Sequence, residues 1–142
     1  MKTQYKFALV AVPLAIISFA LSRVIWPDPA GMAGPDASLI PYFIFIGALE
    51  SVSFGIGISF LIFGWPRMIS AVPGISSLAT ASFVSIVWML ISWWPHDNMH
   101  RVNGMENFAG LLRIEYIFHF TLIIAAFIVA MYLWRALGNR TP

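Results

Sequence analysis

Cysteine is absent from this 142-residue chain, and only 10% of its residues are Asp, Glu, Lys or Arg. The first absence excludes disulfides, thiolate metal sites and cysteine nucleophiles, while leaving the compartment open. The second excludes an ordinary water-soluble globule, in which roughly a quarter of residues carry charge. A formal charge of +2 gives no support for nucleic-acid binding. Long polar stretches are missing too. No segment between the apolar runs exceeds about 14 residues, so no separate catalytic domain is expected. The sequence has no glycine-rich phosphate loop, no Gly-x-Ser-x-Gly and no His-Glu-x-x-His.

What is present is apolar: 60% of residues are hydrophobic. Four stretches approach the ~20 residues that a membrane-spanning helix needs. They run at about Phe7–Ile25, Leu39–Gly64, Gly74–Trp94 and Phe108–Leu137. The expected fold is an all-α integral membrane protein, a single transmembrane domain forming a four-helix bundle with short loops. Breakers separate the spans: Pro27, Pro29, Gly31, Gly34 and Pro35 in the first connection, Pro66 and Pro73 in the second, and an Asn103-Gly104 turn signal in the third. Lys2 and Lys6 before the first apolar run, with Ser18-Phe19-Ala20 after it, resemble a secretory leader. The stretch is read instead as a retained helix.

Basic residues orient the spans. Lys2, Lys6, Arg67, Arg135 and Arg140 fall on one side, whereas Arg23 and Arg101 fall on the other with Asp28, Asp36, Asp97 and Glu106. Trp26, Tyr42, Trp93 and Trp94 would form one interfacial belt, and Tyr5, Trp65, Tyr132 and Trp134 the opposite one. Both signals select an N-in/C-in topology. The expected location is a bacterial inner membrane. Small residues recur every four positions along the second span (Gly47, Ser51, Gly55, Ser59) and along the third (Ser77, Ala81, Ser85). Such stripes allow close backbone approach, and they predict that these two spans form a tight hairpin.

Ionisable groups inside spans are costly, so each calls for a partner or a role. Glu50 lies about 16 Å into the second span, near the midplane, and His119 lies about as deep in the fourth. Glu115 and His119 are four apart and share a helix face. The expectation is that Glu50, Glu115 and His119 converge in the outer half of the bundle. Arg113 points the other way, either snorkelling to the interface or pairing with another subunit. His96 and His100 would share a face if the third connection is helical, a spacing that suits a metal. With Asp97, Glu106, Glu115 and His119 near the same end, the ligand types suit Cu, Zn or Fe. The candidate ligands are therefore His96, His100, Glu115, His119 and Glu50. A bis-His haem is disfavoured, because His119 is the sole histidine inside a span. The plainer alternative is that His119 and Glu50 hydrogen-bond neighbouring helices and that the two loop histidines are simply hydrated.

Leu49-Glu50, followed by Gly55-Ile56-Gly57-Ile58-Ser59-Phe60-Leu61-Ile62-Phe63-Gly64 and then Arg67, resembles the second helix of the DoxX-like four-helix membrane proteins. The resemblance implies a four-helix membrane fold and carries over no functional residue. Small size, an aromatic content of 15% and the lack of any extramembrane domain suit packing against other helices and lipid. The favoured function is a non-catalytic accessory subunit of a larger membrane complex of respiratory, photosynthetic or oxygenase type. The alternative is a metal-binding or proton-relay protein that uses the outer Glu/His cluster.

Overall fold

The computed structural model describes residues 2–71, 74, 76–103 and 107–138. Pro73, Gly104, Glu106 and Arg140, which entered the sequence reading, lie outside them. Every regular element among the described residues is a helix, with no strands. Four helices among them are long and apolar enough to cross a membrane: Thr3–Ile25, Ala37–Phe63, Ser76–Asn103 and Phe108–Gly138.

Helix α1 spans Thr3–Ile25 and ends where Pro27 denies it a further backbone donor. A 3-10 turn at Ala37–Leu39 then leads into α2, Ile40–Phe63. Asp36 caps that turn by accepting from the Ser38 hydroxyl at 2.6 Å and the Ser38 backbone N–H at 2.8 Å. These bonds, the hydroxyl first, hold the Asp36 carboxyl below its ordinary range. Pro41 sits in the first turn of α2, where a missing N–H has no helical partner to lose. Between the second and third spans lies a short helix, α3, Trp65–Ala71. The segment is a plain connection by sequence, but Pro66 suits a first turn as Pro41 does.

The third span, α4, differs most from expectation. It runs Ser76–Asn103 and passes straight through Pro95, beyond the expected end at Trp94. Proline removes one intrahelical bond and crowds the preceding turn, yet apolar helices packed on neighbours tolerate it. The Asn98 amide donates to the Trp94 carbonyl at 2.8 Å, which reinforces the turn that follows the proline. The fourth span is three consecutive pieces: α5 (Phe108–Ile114), a π-helical turn (Glu115–Phe120) and α6 (Thr121–Gly138).

Packing follows chain order, α1 on α2, α2 on α4 and α4 on α6, with no comparable packing of α1 on α6. The expected α2–α4 pair does form, but the small-residue stripe does not face it. Gly47, Gly55 and Ser59 face α1. A Cβ on Gly55 would run into the Ala11 carbonyl oxygen and lie 3.0 Å from the Ala15 nitrogen. The Ser59 hydroxyl donates to the Phe7 carbonyl at 3.1 Å. The face toward α4 is the offset pair Ser53 and Gly57. Ser53 donates to the Leu90 carbonyl at 3.0 Å, and a Cβ on Gly57 would lie 2.7 Å from Ile91 Cγ1. α2 has two neighbours, and a helix needs a separate small face for each close approach. On α4, Ser77 is exposed, and Ala79 and Ser82 face α6 and α3 instead, with Ala79 packing on Met68 and Tyr132.

Two aromatics expected in interfacial belts are interior. Trp94 is buried, donating to the Ser22 hydroxyl at 2.8 Å, and its ring lies 4.7 Å from Trp26. Tyr132 is buried and donates to the Met68 carbonyl at 2.9 Å. Tyr5, Tyr42 and Trp134 do face outward.

Filling the α1–α2 contact should destabilise the fold selectively. Gly55→Ala forces α1 and α2 apart, at an expected cost of about 1–3 kcal/mol. Gly47→Ala adds a methyl only 3.6 Å from the Phe19 ring, an ordinary contact. Thermal unfolding in mild detergent should show a lowered midpoint for the first and a near-unchanged one for the second. Equal midpoints would refute the close approach.

Candidate metal centre

The continuation of α4 past Pro95 turns the third connection into a helical face. His96 and His100 are one turn apart on it, with Nε2 atoms 3.1 Å from each other. The opposing side chain comes from the π-helical turn of the fourth span, where His119 Nε2 lies 2.8 Å from His96 Nε2. The chain has three histidines, and all three meet here, their ligand atoms within 4.8 Å of one another.

The π turn is a local irregularity of the kind found often at functional sites. Its loosened carbonyls are taken up by Thr121, whose hydroxyl bonds back to Ile117 and, at 3.1 Å, to Phe118. That hydroxyl also accepts from the Trp88 indole at 2.9 Å, tying the turn to α4. Phe118, buried between them, stacks on Trp88 at 5.8 Å and presents its ring to His96 at 5.3 Å. The start of α5 is fixed to the end of α4 as well. Asn107 caps α5 by accepting from the Gly110 N–H at 3.0 Å and donates to Asn103 Oδ1 at 3.1 Å. A Cβ on Gly110 would lie 2.8 Å from Asn103 Cγ, so glycine lets the two ends meet.

Glu115 stands behind His119, its Oε2 2.6 Å from Nδ1. A carboxylate there holds the proton on Nδ1 and leaves the Nε2 lone pair facing the other two rings. Glu115 thus orients a ligand instead of offering an oxygen to the same point. Glu50 does not converge with the histidines as the sequence reading expects. It is buried on the α2 side of α4, where its neighbours are Asp97 and Arg101. Asp97 follows His96 in the chain and is turned from it by about 100° of helix. Arg113 is exposed.

The donor set fits a divalent ion of the Cu, Zn or Fe class. Three nitrogens held about 2.05 Å from one tetrahedral centre lie roughly 3.3 Å apart. The two shorter separations here are 2.8 and 3.1 Å, within small side-chain adjustments of that value. A bis-His haem does not fit. Two axial nitrogens lie roughly 4 Å apart, twice a metal–nitrogen bond, with a porphyrin between them. The His96 and His119 nitrogens are too close for that.

No family model, curated protein or solved structure matches the chain. The likeness to DoxX-like proteins therefore remains a feature of one helix. The pairing of α4 with the fourth span was the part hidden from sequence. Its signal was the Pro95–Arg101 register, which gives a usable His-x-x-x-His only when read as helix.

Proposed function

We propose that the protein is an integral membrane protein carrying a three-histidine metal centre, built from His96, His100 and His119 and oriented by Glu115. One observation carries this reading. An imidazole nitrogen has a single in-plane position, filled by either a proton or a lone pair. His96 Nε2 faces His119 Nε2 and His100 Nε2 at once, so it satisfies one of them well but not both. A cation at the point of convergence satisfies all three lone pairs together. Three protein nitrogens leave a coordination position for water or substrate, the arrangement of reactive rather than purely structural sites. When bound, the ion supplies Lewis acidity or, for Cu or Fe, redox chemistry. The chain's own part is to hold the three nitrogens, fix the His119 tautomer and wall one side with Phe118.

Purified protein should carry close to one equivalent of Cu, Zn or Fe by elemental analysis. Substituting His96, His100 or His119 by Ala should reduce it below a tenth. Glu115→Gln should retain the site with roughly 10–100-fold weaker affinity. Metal content indifferent to all three histidine substitutions would refute the centre.

The proposed orientation is N-in/C-in in a bacterial inner membrane, with the histidines at the outer end. Lys2, Lys6, Arg67 and Arg135 support it, because basic residues are retained on the cytoplasmic side. The absence of cysteine makes this straightforward to check. A single cysteine replacing Met32 should react with an impermeant maleimide in intact cells, and one replacing Ser70 should react only after lysis. The reverse pattern would invert the topology.

A second reading, an accessory subunit of a larger membrane complex, is supported by the open row of helices. The outer faces of α1 and α6 carry large exposed side chains such as Leu9, Ile16, Phe127 and Trp134. Extraction in a gentle detergent should then recover the chain with larger partners. Recovery as a monodisperse lone species would count against it.

A further inference from the structure

A cavity of ≈ 440 Å³ opens beside the last turns of α4, on the face turned away from the histidines, none of which lines it. Its size falls in the range of small-ligand sites. One wall is apolar and outward-facing, with Phe19 from α1 and Phe43 and Ile44 from α2. The inner end is polar, with Glu50, Asp97, Asn98 and Arg101.

Glu50 is 1% exposed, with the Asp97 carboxyl beside it, and no N–H or O–H of the protein donates to its Oε1. A buried carboxyl oxygen without a donor is rare in folded proteins and points to a group that completes it. The cations around it are already engaged. Arg23 and Arg101 both pair with Asp28, and Arg101 also donates to the Trp26 carbonyl at 2.7 Å and to Asn98 Oδ1 at 3.0 Å. An anionic head group at this end would lie against the Glu50 and Asp97 carboxyls, and pairing it with Arg101 would break these bonds. A neutral hydroxyl needs to break none of them, because it donates to the free oxygen of Glu50.

We propose that this cavity binds a neutral amphiphile, whose head hydroxyl donates to Glu50 Oε1 while its apolar tail lies along Phe19, Phe43 and Ile44. The same chemistry is offered by a membrane-derived alcohol or by an alkylphenol taken up as a substrate. The site is independent of the metal centre, so failure of one leaves the other standing.

The test uses the full-length protein in phosphatidylcholine nanodiscs with a photoreactive dodecanol, its methyl ether and a photoreactive alkylphenol, with labelled residues located by mass spectrometry. The dodecanol should label the Phe19 and Phe43 segments at least tenfold more than the ether, which has no proton to donate. Alkylphenol labelling stronger than dodecanol labelling would identify an aromatic source for the hydroxyl, and the reverse an aliphatic one; either supports the site. Glu50→Leu should bring dodecanol labelling down to the ether's level, and Glu50→Gln, which keeps an accepting oxygen, should stay within a few-fold of the original. Equal labelling by alcohol and ether in the unmodified protein would overturn the proposal without reliance on any variant. So would displacement of the alcohol by dodecyl phosphate at lower concentration than by dodecanol itself, which would mark an anion site.

Discussion

The histidine end of the molecule depends on a helix that does not stop at its proline. Because α4 continues through Pro95, residues 96–103 keep a helical register and stay in contact with the elements on both sides. One face then delivers His96 and His100 to the fourth span, and the neighbouring face delivers Asp97, Asn98 and Arg101 toward α1 and α2. Had the chain left the helix at Trp94, the two histidines would share no face. The cost of the missing N–H is offset by what surrounds it: Trp94 wedged between α1 and α2, and the Asn98 amide on the Trp94 carbonyl.

The helices themselves meet through small residues and hydroxyls. Ser53, Ser59 and Tyr132 each donate to a backbone carbonyl of a neighbouring helix. Such bonds in an apolar setting average only about 0.6 kcal/mol each. Their larger effect is geometric, since a hydroxyl reaches a carbonyl only when backbones approach closely. Gly55 and Gly57, about 200° apart on α2, permit that approach on opposite faces, toward α1 and α4 respectively. The middle of the structure is therefore closely packed, and the polar groups at the histidine end inherit their positions from it.

Those polar groups fall into two separate sets. The histidines and Glu115 lie between α4 and the fourth span, with an aromatic layer of Phe118 and Trp88 beneath them. Glu50 lies on the other side of α4, next to a charge network centred on Asp28 that joins α1 to α4. Separation matters chemically. A carboxylate of Glu50 inside the histidine cluster would add charge and an oxygen ligand to the proposed ion; placed apart, it leaves an all-nitrogen set.

Sequence alone determined the helical class and the four long apolar stretches, because length and composition are local properties of the chain. It also marked His96, His100, Glu115 and His119 as residues with potential chemistry, and the i,i+4 link between Glu115 and His119 follows from helical periodicity. Tertiary structure decided the rest. Which face of α2 meets which neighbour depends on helix rotation, and a stripe of small residues carries no label for its partner. Whether Pro95 ends a helix or sits within one depends on the contacts available to its flanking turns. Glu50 and His119, at similar depth in their own helices, were parted by α4 standing between them, because distance across a bundle is set by the packing of helices and not by position along them.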